Sequence, residues 1–263
     1  VSRSVLITGA GSGIGEACAL RLARQGWQVA LVGRRREALQ RVAQRCDGLV
    51  LAGDAADSAT WAGFIEQVRA RFGGLDAVIA CAGGHGLGAA EQTSDGAWRE
   101  ALRSNLDSAF HTARACLPLL RERRGSLVLL GSIASLAAGP EVCGYTTAKH
   151  ALVGLTRSLA RDYGPFGVRV NCVCPGWVRT PMADQEMQPL MDHYQEDLDA
   201  AYRRVTADVP LRRPASSDEI AAVCQFLVGA EASIVTGAVI TADGGSTVVD
   251  VPTLAYTRLE PSA

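Results

Sequence analysis

The chain has 263 residues, 48% of them hydrophobic and 20% charged, with a formal net charge of −1. That apolar fraction suffices for a sizeable core, and the balanced charge excludes a global basic field that would draw the chain to nucleic acid or an anionic membrane surface. The eight cysteines (18, 46, 81, 116, 143, 172, 174 and 224) sit in apolar runs without a C-x-x-C pair, which argues against a disulfide framework and for reduced core thiols. There is no long apolar run and no charged-then-apolar leader, so a soluble cytoplasmic protein without a membrane partner is expected.

Ser4 to Thr8 (SVLIT) is a short continuous apolar run, the pattern of a strand covered on both faces. It breaks into Gly9-Ala10-Gly11-Ser12-Gly13-Ile14-Gly15, then into a helical pattern from Ile14 to about Gln25 that stops at Gly26. Strand, glycine-rich turn and helix make an anion-binding arrangement, because glycines let backbone approach a pyrophosphate and the helix N-terminus supplies N–H donors. The spacing is G-x-x-x-G-x-G through Gly9, Gly13 and Gly15, while G-x-G-x-x-G fails at Glu16.

Gln28 to Val32 predicts the second strand, followed by Gly33-Arg34-Arg35-Arg36. Dinucleotide folds that prefer NAD place a carboxylate near the end of this strand to hold the ribose hydroxyls. Here that position is Gly33, with Arg34 next. Nothing repels a 2′-phosphate and a guanidinium attracts it, which favours NADP(H) over NAD(H) and leaves one or two of the arginines as a solvated helix start.

Leu49 to Ala52 predicts the third strand, ending at Asp54, a carboxylate that faces an adenine ring or caps a helix. A helix is expected from Ser58 to Arg71, a fourth strand from Leu75 to Ala80, and one long helix from Ser94 to about Leu117 that carries Asn105. An amide amid apolar helix residues implies a packed hydrogen bond, a kink or a water site. Ser126 to Leu130 predicts the fifth strand and puts Ser132 at its carboxyl edge, where open parallel sheets bind ligands. Tyr145 and Lys149, four apart, share one face of the next helix, which runs to about Tyr163. A fixed ammonium beside a phenol favours the phenolate, so the tyrosine gains a use as a proton shuttle for an alcohol/carbonyl pair, with Ser132 bonded to the same oxygen. Val168 to Val173 predicts the sixth strand and Ala238 to Thr241 the seventh. Between them a polar stretch of short helices, about 178–208, is expected to cover the site. Ser216 and Glu219 form a capping box for a helix to about Val228. The whole reads as one domain, 1–263, with a C-terminal tail from about 247 to 263.

Taken together, these residues resemble the classical short-chain dehydrogenase/reductase family over about residues 4–246. Alternating βα units already point to a doubly wound parallel sheet. The resemblance implies a single Rossmann-type α/β domain of about seven strands with helices on both faces. It also implies the roles: Tyr145 as general acid/base, Ser132 orienting the substrate oxygen, Lys149 favouring the phenolate and holding the nicotinamide ribose, and Asn105 keeping a water on the proton path to Lys149. Cofactor contacts carry over to Gly9, Ser12, Gly13, Ile14 and Gly15, to Arg34, Asp54 and Ala55, and to Ala82 and Gly83. They carry over also to Tyr145 and Lys149, to Pro175 and Gly176, and to Val178 and Thr180 at the nicotinamide carboxamide. Catalytic metal is rare in the family, and His85, His111 and His193 are not spaced as a site. One departure is Cys81, where the family has Asn before Ala-Gly; the strand-tying role of that Asn is placed in doubt, at a modest stability cost.

The reaction implied is hydride transfer between a nicotinamide cofactor and a small secondary alcohol or ketone. Alternatives are a 3-oxoacyl-[acyl-carrier-protein] reductase, for which Arg121, Arg123 and Arg124 would form the docking surface, and a sugar or polyol dehydrogenase. A non-catalytic cofactor-sensing scaffold is the reading from a different class, opposed by retention of Ser132, Tyr145, Lys149 and Asn105. By family position Ala134, Glu141, Val142, Trp177 and residues around Met182 to Met191 line the substrate pocket, or else serve packing. A homo-oligomer, tetramer or dimer, is expected, with the apolar tail against a neighbour or over the cleft.

Overall fold

The computed structural model describes residues 2–259. Its strands are β1 (Ser4–Thr8), β2 (Gln28–Gly33), β3 (Leu49–Ala52), β4 (Ala77–Ala80), β5 (Ser126–Leu130) and β6 (Arg169–Pro175). Two short strands that pair with each other follow, β7 (Val178–Arg179) and β8 (Ala215–Ser216), and then β9 (Val239–Ala242). The helices are α1 (Gly13–Ala23), α2 (Arg36–Cys46), α3 (Trp61–Phe72), α4 (Asp95–Leu102) and α5 (Ser108–Arg123). After them come α6 (Cys143–Tyr163), α7 (Pro181–Tyr194), α8 (Leu198–Val205) and α9 (Ser217–Val228).

Seven strands form one parallel sheet in the order β3-β2-β1-β4-β5-β6-β9. The chain builds outward from β1 to β3, then returns to lay β4 on the other side of β1. That reversal opens a crevice at the carboxyl ends of β1 and β4, and ligands bind at such a switch point. Alternate strand residues serve opposite faces. Val5, Ile7, Leu31 and Val173 pack with α1, α2 and α9, whereas Leu6, Val32, Val78, Leu127 and Val170 pack with α3, α5 and α6. Each fully buried aliphatic side chain contributes about 1.5–3 kcal/mol relative to exposure, which is why the continuous apolar runs become strands covered on both sides.

Two helices differ from the sequence expectation. The one predicted from Ser58 opens as a 3-10 turn, Ser58–Thr60, capped by Asp57. The long helix predicted from Ser94 to Leu117 is α4 and α5 joined by a π-turn, Arg103–Asp107. Asn105 is the cause: its Nδ2 donates to the carbonyls of Ala101 (3.0 Å) and Gly84 (3.1 Å), so a side-chain donor enters the helical ladder and the backbone widens around it.

α7 and α8 carry a small core of their own, in which Ala183, Met187, Ala201 and Tyr202 are buried against Trp177, Leu190 and Met191. Beyond β9 the chain makes two 3-10 turns, Ser246–Val248 and Val251–Arg258, with Val248, Val251 and Tyr256 exposed. The last part of the predicted tail, 260–263, lies outside the described residues.

Candidate active site

The chain leaves β1 through Gly9 and Gly13, whose φ angles of +65° and +56° lie in the left-handed region that a side chain disfavours. Gly15 is required for a different reason: a Cβ there would land on the Gly9 carbonyl. Ser12 stands extended at the N-cap of α1 without a side-chain cap bond, so it does not compete with an anion for the first-turn N–H groups. Thr180 arrives from the far side of the sheet, and a Cβ on Gly13 would lie 3.1 Å from its Cγ2. Its Oγ1 accepts the Ala183 N–H and caps α7. Backbone exposed in this way, with no room for side chains, fits a dinucleotide pyrophosphate.

Of the three arginines after β2, Arg35 donates through Nη2 to Ser12 Oγ (3.1 Å), while exposed Arg34 acts on Asp54 through its field. Asp54 Oδ1 accepts the Ala56 N–H at 2.9 Å, and Oδ2 accepts Arg103 Nη1 at 2.8 Å. Burial opposes ionisation of Asp54, yet the Ala56 N–H, the Arg103 guanidinium and Arg34 together hold its carboxyl below the usual range. Ala55 is buried, and its carbonyl accepts the Trp61 indole N–H at 3.0 Å.

On the other side of the crevice, Ser132 leaves β5 and opens a 3-10 turn, Ile133–Ser135. Its Oγ accepts the Ala134 N–H (3.1 Å), and its own N–H donates to Ser135 Oγ (3.2 Å). Tyr145 lies in the first turn of α6, with Lys149 one turn on. Lys149 is only 5% exposed. Its ammonium donates to the Leu130 carbonyl at 2.9 Å and stands 5.5 Å from the Tyr145 ring centroid. A buried cation needs such a partner to offset desolvation. Asn105 Oδ1 accepts the Gly84 N–H at 3.2 Å. Gly83 is the seam between these groups: a Cβ there would lie 3.0 Å from Asn105 Oδ1 and 3.7 Å from Lys149 Nζ. The Tyr145 N–H donates to the Gly86 carbonyl at 3.3 Å, which ties the start of α6 to the segment after β4.

Around these groups, Ala134 is half-buried on the Ser132 turn. Glu141 is exposed at φ +52°, and its carbonyl accepts the Gly88 N–H at 2.6 Å. Glu141, Val142, Thr146 and Thr147 border a depression of about 290 Å³. Of the two roles open for this stretch, pocket lining or packing, Met187 is buried in the small α7–α8 core and half-buried Trp177 packs against it. Met182, by contrast, is exposed. Pro175 and Val178 are buried, and Gly176 backs directly onto Asp243.

Several contacts have no local sequence signal: Arg103 on Asp54, Arg35 on Ser12, and His85 Nδ1 with Glu186 Oε1 at 2.9 Å, which joins the segment after β4 to α7. Asn171 is another. Its Nδ2 donates to the Val235 carbonyl and its Oδ1 accepts the Ala238 N–H, which pins β9 beside β6. Cys81 packs on the α1–α9 side, where it, Cys224 and burial push the Cys18 thiol up. The link between β1 and the end of β4 is made instead by Thr8 Oγ1, which accepts the Ala82 N–H at 3.0 Å. Arg123 turns inward to Asp76 and the Phe72 carbonyl, and Arg121 lies over the Phe166 ring, so two of the three arginines considered for carrier docking have local partners.

Residues 9–247 match the family model described as Enoyl-(Acyl carrier protein) reductase. The chain is 50% identical over 257 residues to Protein MoaE of Klebsiella aerogenes, covering 97% of this chain and all of that protein. It is 33% identical over 252 residues to meso-2,3-butanediol dehydrogenase of Serratia marcescens, covering 95% and 96%. Among solved structures, a variant actinorhodin polyketide ketoreductase with NADPH superposes with a TM-score of 0.88 at 30% identity, covering 93% of this chain and 97% of the other.

Proposed function

Since the chain belongs to the classical short-chain dehydrogenase/reductase family, we propose that it interconverts a small secondary alcohol and a ketone, with NADP(H) favoured over NAD(H). The observation that carries this reading is Lys149, buried between the Leu130 carbonyl and the Tyr145 ring, with Asn105 across Gly83 from it. A nicotinamide cofactor supplies or accepts the hydride; Gly9, Ser12, Gly13, Ile14 and Gly15 would hold its pyrophosphate, Asp54 and Ala55 its adenine end, and Thr180 and Val178 its carboxamide. Tyr145 gives its hydroxyl proton to the carbonyl oxygen during reduction and takes it back during oxidation. Ser132 orients that oxygen by donating its hydroxyl proton to it, while its Oγ still accepts the Ala134 N–H. Lys149 would hold the nicotinamide ribose beside Tyr145, and Asn105 would keep the water through which protons reach Lys149. Ala134, Glu141 and Val142 border the substrate.

Arg34 and Arg35 after β2, with no carboxylate at Gly33, support NADP(H), as does likeness to a ketoreductase solved with NADPH. We read 1–263 as one domain in which 178–208 covers the site, and the exposed Trp98 and Phe110 of α4 and α5 as support for self-association. A parallel fluorescence titration with NADPH and NADH at fixed salt tests the cofactor, followed by a screen of ketones. Tenfold or greater preference for NADPH, about 1.4 kcal/mol, is expected. Binding of neither nucleotide would overturn the assignment in favour of a scaffold.

A further inference from the structure

α7 starts from Thr180, the residue that stands against Gly13, and one buried side chain of α8 holds the chain on both sides of it. Tyr202 is fully buried between α7 and α8. Its hydroxyl donates to Asp184 Oδ1 at 2.8 Å. Asp184 lies in the first turn of α7, and its own N–H donates to the Thr180 carbonyl at 2.9 Å. On the other side of Thr180, the Arg179 guanidinium lies over the Tyr202 ring, 4.6 Å from its centroid. One aromatic side chain therefore holds the residue before Thr180 through its face, and the residue four after it through its hydroxyl.

Packing alone does not require that hydroxyl. Ala183, Met187 and Ala201 supply the rest of the small core, and a phenylalanine ring would fill the same space with no polar atom to satisfy. Burial and the Asp184 carboxylate push the Tyr202 phenol up, so its oxygen keeps the proton and acts as donor; the Arg179 charge and the Thr180 N–H act in the opposite sense. A neutral donor facing an ionised acceptor makes a charge-assisted, directional bond. That bond fixes the first turn of α7 beside the nucleotide crevice. There Thr180 Oγ1 accepts the Ala183 N–H, and Thr180 Cγ2 would stand 3.1 Å from a Cβ on Gly13. Arg179 is anchored further, by an ion pair with Asp199 of α8 and by its carbonyl, which accepts the Ser217 hydroxyl.

We propose that Tyr202 is a positioning residue for the nicotinamide half of the cofactor, acting through Asp184 and Arg179 on Thr180. The inference rests on the function proposed above, in which Thr180 and Val178 meet the carboxamide. Tyr202 is itself buried and acts only through the turn it holds. Loss of its hydroxyl frees the first turn of α7 to shift away from Gly13. The adenine end of the nucleotide, assigned to Asp54 and Ala55 beyond the edge strand β3, is left untouched.

The test compares NADPH with adenosine 2′,5′-bisphosphate, which carries the adenine end and no nicotinamide. Tyr202→Phe is expected to weaken NADPH by about tenfold and to leave the bisphosphate within about twofold of wild type. Asp184→Ala, which removes the acceptor from the half-buried end of the bond, is expected to show the same split. Thr180→Val should also weaken NADPH, and adding Tyr202→Phe to it should cost no more than about twofold further, because both changes act on one contact. Hydrogen exchange without nucleotide reads the positioning directly. The Ala183 and Asp184 amides, which donate to Thr180, are expected to exchange at least about tenfold faster in Tyr202→Phe, with the amides of β1 unchanged. Equal weakening of both nucleotides, or no weakening of either, would overturn the proposal. So would unchanged exchange at the two amides, or additive losses in the double variant. If the wild type binds neither nucleotide, the proposed function fails, while the exchange rates still decide whether Tyr202 holds Thr180.

Discussion

Arg103 donates to Asp54 at 2.8 Å and thereby joins the turn after β3 to the π-turn that carries Asn105. One end of this contact lies in the turn at the carboxyl end of β3, and the other lies two residues from the amide that borders Lys149. Displacement at either end reaches the other through one guanidinium, which Glu100 also holds through a 2.7 Å bond to Nε. Arg103→Leu is expected to weaken NADPH and NADH alike by several-fold. Both partners are partly exposed, so the loss of stability should stay within about 1 kcal/mol. A loss confined to NADPH would place Arg103 at the 2′-phosphate instead.

Tyr145→Phe removes the hydroxyl and leaves the ring under Lys149. Turnover is expected to fall by at least about 100-fold while nucleotide affinity stays within about twofold of wild type. Joint loss of binding and turnover would reassign the tyrosine to a structural role.

Arg34 and Arg35 are separable by substitution. Arg34→Ala and Arg35→Ala are each expected to weaken NADPH more than NADH, and the bond from Arg35 to Ser12 makes the second variant the sharper test. Equal effects on both nucleotides, measured at one salt concentration, would remove the arginines from 2′-phosphate recognition.

Gly15→Ala forces a methyl into the Gly9 carbonyl, a backbone atom that no rotamer change can move. The expected result is destabilisation of about 1–3 kcal/mol, seen as a lower Tm, together with loss of nucleotide binding. A variant that melts and binds like wild type would show that the turn is not the tight cradle described.

The capping box of α9 gives a pH dependence. The Arg213 guanidinium, with the Ser216 N–H and hydroxyl, holds the Glu219 carboxyl down at about 2. A depressed carboxyl contributes stability that is fully present above its unfolded value of about 4.3 and is lost as pH falls through the folded value. Glu219→Gln should therefore lower Tm at neutral pH, and the gap to wild type should close between about pH 4.3 and pH 2. The carboxylate is 47% exposed, so solvent screening keeps the gap small. A constant gap across that range would mean that the ion pair and the cap bond contribute nothing through charge.

Much of the fold was legible because its signals are local. Continuous apolar runs predicted all seven strands of the sheet to within a few residues, since a strand buried on both faces has no room for polar alternation. The Ser216–Glu219 box predicted the start of α9. The long helix through Asn105 was misread as continuous because helical periodicity persists across a π-turn; what breaks the ladder is a bond to Gly84, a residue on another element. For Trp177 and Met187 position alone left pocket lining and packing both open, because the core they contribute to forms only once α7 and α8 fold against each other.

By itself the sequence determined which residue types stand at short separations: glycines where backbone must turn, and a lysine one helical turn from a tyrosine. Those relations follow from chain geometry over a few residues and need no tertiary context. Only the tertiary structure decided that Thr180 closes over Gly13, that Arg103 reaches Asp54, and that two thiols of β6 lie beneath the turn of Ser132. Each of these joins segments distant along the chain, and their approach is set by how the helices pack on the two faces of the sheet.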